Sequence, residues 1–270
     1  VSFSALKLFH LCPRRYYVER VLGFRAETAL NRPGDSLPAV ASAANGAQEG
    51  EWYPRGLREP DEEGEPQRLE MGIVVHKMLE LAPLGAHIPA EGLLCELYGA
   101  ATSMLGVSLP QRAGEECRAL CAAYWRSPLA RLGGDTLGRE VSFAFAVGAR
   151  LVKGVMDRVE VSRETWHIID YKTNLLCGRS ALQASAAYHL QVVIYGLLGL
   201  RRGADRVYVH LLFLEAPEEP VSVAYGPGDM AQLEERLRAE VVALETSRFE
   251  RAAAECPACP HNWMCGVTRH

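Results

Sequence analysis

The stretch GVMDRVEVSRETWHIIDYKT, residues 154–173, constrains this chain more than any other. Aliphatic and aromatic residues alternate with polar ones on both sides of SRET, the pattern of two antiparallel strands joined as a hairpin. With SRET as a four-residue connection, Val161 faces Trp166, and continuing the pairing sets Asp157 opposite Asp170. Directly opposed residues share a sheet face, with Cβ atoms roughly 4.5–5.5 Å apart. Lys172 lies two residues beyond Asp170 and projects from the same side by the strand period of two. Two acids and an ammonium therefore stand among Val155, Val159 and Ile168.

Charges on an apolar strand face are costly unless they are paired or bound to metal. A hard divalent ion with oxygen ligands, Mg²⁺ or Mn²⁺, answers two opposed aspartates. Such a site suits phosphodiester hydrolysis: the ion polarises a phosphoryl oxygen and acidifies a water, while Lys172 orients that water or offsets charge. A D-x-K tripeptide alone is usually a surface salt bridge; the opposed Asp157 is what argues otherwise. His76, in a helical pattern with Met71, Val74, Val75, Met78 and Leu79, adds a nitrogen ligand compatible with Mn²⁺. Glu80, one turn on, could assist. Tyr188, Gln191 and Tyr195 fall at i, i+3 and i+7 of one helix face. They are expected to meet a DNA strand, the tyrosines stacking on bases and Gln191 reaching a phosphate or a catalytic ligand.

Around this hairpin the chain reads as one α/β domain with a mixed central sheet flanked by helices. Ser2 or Ser4 caps a first helix through ALKLFHLCPRRYYVERVLG, which Pro13 kinks or breaks. Residues from about Ala26 to Gln67 lose apolar periodicity and read as a mobile insertion. Helical periodicity returns in LEMGIVVHKMLELA, EGLLCELYGAATSML and EECRALCAAYWRSPLARL. A three-strand meander starts at Arg139. It is followed by a helix through ALQASAAYHLQVVIYGLLGL, a strand through DRVYVHLLFLE, a short strand at PVSVAYG and a last helix from Asp229 to Arg251.

The segment CPACPHNWMC gives Cys256, Cys259 and Cys265 the spacing C-x2-C-x5-C. Three clustered thiols signal a metal site and call for a fourth ligand. Cys12, in the kinked first helix and also followed by proline, is the candidate; His261 is a weaker rival. Four thiolates suit a [4Fe-4S] cluster or Zn²⁺, and spacing does not separate the two. Cys95, Cys117, Cys121 and Cys177 are read as small buried hydrophobes.

Composition excludes more than it identifies. With 29 basic and 33 acidic residues, the net charge of -4 offers no general attraction to nucleic acid, so any DNA contact must be local. Arg14, Arg15, Arg20 and Arg25 are candidates for such a patch. No apolar run is long enough to span a membrane and no signal peptide is evident, so a cytosolic protein is expected. Val1 in place of an initiator methionine suits a domain cut from a longer chain.

With these residues assembled, the sequence resembles the RecB-like branch of the PD-(D/E)XK nuclease superfamily in its iron–sulfur form. The pieces that carry the resemblance are SFSALKLFHLCPRRYYVERVLG, GIVVHKMLE, GVMDRVE, IIDYKT, HLQVVIYG and CPACPHNWMC, in that order from end to end, with 26–67 unmatched. Similar domains form the C-terminal part of AddB-type helicase-nucleases or stand alone as CRISPR-associated exonucleases. The resemblance implies a restriction-endonuclease-like core and metal binding by His76, Asp157, Asp170 and the backbone carbonyl of Tyr171. It implies a catalytic Lys172 supported by Gln191 and Tyr195, and a mainly structural [4Fe-4S] cluster on Cys12, Cys256, Cys259 and Cys265. The function implied is a single-strand DNA exonuclease of recombinational repair, cytoplasmic at the nucleoid, part or partner of a helicase. The competing reading is a non-catalytic iron–sulfur module that binds DNA or acts as a scaffold.

Overall fold

The sheet of the molecule has the strand order β1-β2-β3-β4-β5, with β1 Asp135–Val147, β2 Arg150–Ser162, β3 Thr165–Lys172, β4 Arg206–Phe213 and β5 Val221–Tyr225. The β3/β4 pair is parallel and the other three pairs are antiparallel, so the sheet is mixed as expected. The computed structural model describes residues 1–24, 65–83, 87–132, 135–252 and 259–265. Most of the 26–67 insertion, and Cys256, lie outside the described residues. The chain divides into two units, one of Val1 with Gln67–Val241 and one of Ser2–Pro66 with Val242–His270.

In the first unit, helices α3 (Glu65–Leu81), α4 (Glu91–Leu105) and α5 (Gln111–Ala123) share a core with the sheet. Met71, Val74 and Met78 of α3 meet Leu94, Leu97, Cys117 and Cys121 above Ile169, Tyr171 and Leu212. A short helix α6 (Ala181–Ser185) and a 3₁₀ turn lead into α7 (His189–Arg201), which carries Gln191 and Tyr195 to the sheet. Every residue of α7 from Leu190 to Leu200 is buried, which explains a helix apolar all round. Gly199 and Gly196 permit this fit: a Cβ on either would come within 2.6 Å of Val207 or 2.4 Å of Tyr225. Helix α8 (Met230–Thr246) follows β5, and its Glu234 pairs with Arg201 of α7 at 2.7 Å.

In the second unit, α1 (Phe3–Leu11) is capped by Ser2, whose Oγ accepts from the Ala5 N–H at 3.2 Å. Cys12 is extended, and Pro13 starts α2 (Pro13–Tyr16) at a position where its missing N–H costs nothing. A π-helical turn, Tyr17–Val21, follows.

Four expectations need correction. The β2–β3 connection is a two-residue turn, since Ser162 pairs with Thr165 and Arg163 supplies the left-handed conformation at φ 55°. This leaves Val161 opposite Trp166 as anticipated. Strand β1 begins at Asp135 rather than Arg139, with a bulge between Thr136 and Gly138. The helix read through 181–200 is broken at 186–188. Cys117 and Cys121 are buried, but Cys95 and Cys177 are exposed, so the latter two are not core residues.

Candidate active site

The β2/β3 ladder ends at the pair Arg158–Ile169, and the next step of the same register faces Asp157 toward Asp170. On the other side of β2, Arg139 pairs with Arg158 and Val141 with Met156, so Glu140 falls opposite Asp157. Three carboxylates therefore occupy one row across three adjacent strands. Glu140 adopts φ 50°, an uncommon conformation for a residue with a side chain.

Helix α3 brings His76 to this row, its Nδ1 lying 3.4 Å from Asp157 Oδ1. Ligand atoms of His76, Glu140 and Asp157 all lie within 4.8 Å of one another. Two contacts hold α3 there. Gly72 lets it approach the end of β3, where a Cβ would sit 2.9 Å from Thr173 Oγ1. The Arg139 guanidinium, next to Glu140 in sequence, donates to the carbonyls of Leu79, Glu80 and Ala82 at the helix end. Glu80 itself pairs with Lys77.

The charge state follows from burial and crowding. Burial disfavours an imidazolium at His76, but the Asp157 carboxylate outweighs it, by charge and hydrogen bond, and lifts the pKa to about 9. Burial, then the neighbouring Asp157, raises Glu140 to about 7, with His76 offsetting part of the shift. The Tyr171 N–H donates to Asp157 Oδ2 at 2.6 Å, fixing that oxygen and leaving Oδ1 toward His76. The Tyr171 ring packs against those of Tyr124 and His76.

Asp170 is engaged from the other direction. Its Oδ1 accepts from Gln191 Nε2 at 2.6 Å, and its Oδ2 lies 2.5 Å from Lys172 Nζ as an ion pair. The Lys172 ammonium is the one partner of Oδ2 among the described residues. Lys172 Nζ donates to Gln191 Oε1 at 2.9 Å, so the glutamine amide bridges acid and base. Gln191 also donates to the Tyr195 hydroxyl at 2.9 Å, whose single proton lies between Val155 O at 2.7 Å and Asp170 Oδ1 at 3.1 Å. Burial works to discharge Lys172, but Asp170 outweighs it and holds the ammonium charged. Burial raises Asp170, and Lys172 opposes that shift.

The expected residues His76, Asp157, Asp170, Tyr171, Lys172, Gln191 and Tyr195 thus gather at one end of the β2/β3 pair. Two expectations change. Asp170 faces Lys172, Gln191 and Tyr195, while Glu140 joins His76 and Asp157, so the three-donor cluster contains an acid the sequence reading omitted. Tyr195 is 3% exposed with its hydroxyl engaged, and cannot stack on a base; Gln191 reaches Asp170 and Lys172.

In the second unit, Cys12 Sγ accepts from the N–H groups of Arg15 at 3.5 Å and Ala252 at 3.4 Å. Burial raises the Cys259 thiol, against a backbone hydrogen bond from His261 and the charge of Arg15, with smaller upward contributions from Cys12 and Cys265. His261, the rival ligand, is buried with Nε2 3.2 Å from Glu19 Oε1, which also pairs with Arg15 at 2.7 Å.

A carboxylate row thus lies on a mixed sheet, with a buried lysine at its edge. The family model of the PD-(D/E)XK nuclease superfamily matches residues 52–266, and the chain belongs to that superfamily. A solved structure from Eubacterium rectale, described as a "putative exonuclease", aligns over 100% of this chain and 89% of its own, with a TM-score of 0.51 at 12% identity. That likeness is one of fold. A second, the crystal structure of SSO0001, covers 74% of this chain and 98% of its own at 16% identity, with a TM-score of 0.34. No curated protein matches the chain. Among the described residues no helix is long and apolar enough to cross a membrane.

Proposed function

We propose that the chain is a divalent-metal-dependent DNA nuclease of the RecB-like branch. The observation that carries this reading is a buried lysine paired with Asp170 beside the donor cluster of His76, Glu140 and Asp157. The donors suit Mg²⁺ or Mn²⁺, being carboxylate oxygens with one imidazole. Asp170 Oδ2, buried with the Lys172 ammonium as its one partner among the described residues, keeps a lone pair for a further partner. His76, Asp157, Asp170 and the Tyr171 carbonyl would hold the ion, with Glu140 as an added ligand.

When bound, the ion supplies Lewis acidity toward a phosphoryl oxygen and a more acidic water. The chain's own groups do the rest. The Lys172 ammonium offsets negative charge on the phosphoryl group. Gln191 fixes the separation of Lys172 and Asp170, and Tyr195 anchors that amide to the Val155 carbonyl. The Tyr171 N–H orients Asp157.

The substrate proposed is single-stranded DNA, cut from an end during recombinational repair in the cytoplasm at the nucleoid, with a helicase domain or subunit as partner. The RecB-like motifs support this reading, and the description of the Eubacterium rectale neighbour supports only its exonuclease part. Both units are proposed to serve one nuclease domain, in keeping with a family match over residues 52–266 that includes part of each. Cys12, Cys256, Cys259 and Cys265 are proposed to hold a [4Fe-4S] cluster, with Zn²⁺ as the alternative; a cluster would give freshly isolated protein broad visible absorption that zinc would not.

The test uses protein purified without oxygen, labelled single-stranded DNA, and Mg²⁺ or Mn²⁺. Wild type is expected to shorten the DNA and Asp170→Ala to lose at least about a hundredfold in rate, the scale for removing one preorganised charge-stabilising group. An Asp170→Ala protein as fast as wild type overturns the assignment.

A further inference from the structure

The Lys172 ammonium has three protons to place. Asp170 Oδ2 and Gln191 Oε1 take two directions, at 2.5 and 2.9 Å. On a further side lies the ring of Tyr188, its centroid 3.9 Å from Nζ. Tyr188 is held independently of the lysine. Its hydroxyl donates to Asn174 Oδ1 at 2.9 Å, and its ring meets Phe213 edge-on at 6.2 Å. Phe213 is the β4 residue in register with Lys172, so the tyrosine lies against a paired position of the parallel strands. Its backbone closes the 3₁₀ turn between α6 and α7, three residues before Gln191. A cation over an aromatic face is attracted by the ring quadrupole, and the attraction grows as water is removed. Lys172 is 8% exposed, which places this contact near the strong end of that range.

We infer that Tyr188 is a positioning residue: its ring seats the Lys172 ammonium on the side that Asp170 and Gln191 leave open. This rests on the nuclease reading, in which Lys172 acts at the phosphoryl group. Without the ring, the ammonium is held only by the Asp170 carboxylate and the Gln191 amide oxygen, and its aim loosens. The ring face matters and the hydroxyl serves only to hold it. A tyrosine that stacked on a substrate base would act on DNA affinity instead, and would do so whether or not Lys172 were present.

Four proteins decide between these roles: wild type, Tyr188→Leu, Tyr188→Phe, and Tyr188→Leu combined with Lys172→Ala. Tyr188→Leu is expected to lower kcat about tenfold, the scale of a desolvated cation–π contact. KM for single-stranded DNA and affinity for Mn²⁺ should stay within about twofold of wild type, against that tenfold effect. Tyr188→Phe should recover most of kcat, and Tyr188→Leu should cost nothing further once Lys172 is alanine. A wild-type kcat in Tyr188→Leu, a Tyr188→Phe protein as slow as Tyr188→Leu, or an undiminished loss in the Lys172→Ala background overturns the inference.

A measurement free of activity accompanies these. The Lys172 Cε methylene protons, bonded next to an Nζ that lies 3.9 Å from the ring centroid, should resonate upfield in wild type and Tyr188→Phe. Where Tyr188→Leu does not fold, this signal and the Tyr188→Phe kinetics decide the matter. Wild type with the upfield signal but no cleavage overturns the nuclease reading and supports the lysine's seat; wild type without that signal overturns the seat.

Discussion

Truncating Lys172 to alanine leaves the Asp170 carboxylate buried without its cation. Breaking a buried pair in this way costs about 3–5 kcal/mol. Lys172→Ala is therefore expected to lower the denaturation free energy of metal-free protein by that order, and by less when Mn²⁺ is present to share Asp170. Denaturant titrations with chelator and with Mn²⁺ check it. His76 makes a second prediction. Its folded pKa of about 9 stands above the ordinary value of 6.5. The stabilisation is full below about pH 6.5, where the unfolded chain is also protonated, and fades as pH rises through about 9. Glu140, raised to about 7, likewise favours the folded protein in its protonated state and loses that advantage between about pH 4.5 and 7. Metal-free protein should thus lose stability from pH 6.5 to 9, and Asp157→Asn, which removes the main support of the imidazolium, should flatten that slope. A steeper slope in Asp157→Asn would refute the attribution. At this scale the register about one hairpin was enough to bring Asp157, Asp170 and Lys172 together on paper. The same reasoning about the Gly148–Ala149 turn, where Val147 pairs with Arg150, leads to Glu140 opposite Asp157. The signal for Glu140 was present in the sequence, though its positive φ was not.

Helix α3 carries His76 only as accurately as it sits on the sheet, and Gly72 faces the end of β3 with no room for a side chain. An added methyl group would meet Thr173 Oγ1 at 2.9 Å, so either the helix or the threonine must give. Gly72→Ala is expected to weaken Mn²⁺ binding about tenfold, within the usual cost of overpacking, and Thr173→Ala on that background should restore most of it. Isothermal titration of the two variants decides this, and an unrescued loss would point to helix propensity or another contact. The element pattern was largely legible because α3–α5 keep a helical period and β2 and β3 keep a strand period. The break at 186–188 was not legible, because alanines there favour a continuous helix. Tertiary contacts of Tyr188 with Asn174 and Lys172 lie beyond local propensity.

For the molecule as a whole, a net charge of -4 and a row of three acids at the candidate site repel phosphate until something neutralises them. DNA affinity should accordingly fall when chelator replaces Mn²⁺, and a Glu140→Gln, Asp157→Asn protein should bind DNA in chelator more tightly than wild type does. Fluorescence anisotropy with a labelled oligonucleotide reads both; equal affinities in chelator would mean that the row does not face the backbone of the bound strand. The α/β class with a mixed sheet followed from the order of periodic segments. The division into two units did not, since the second is assembled from residues distant in sequence that no local pattern connects.

In that second unit the thiol of Cys12 accepts a hydrogen bond from Ala252, 240 positions away, and Arg14 donates to the Glu250 carbonyl. A ribosome adding about 5–20 residues per second makes the first of these partners well before the second. Cys12 and Arg14 must therefore wait for these partners while more than 230 further residues are added. A chain released before Glu250 is added would leave the Arg14 N–H and the Cys12 thiol without these two partners.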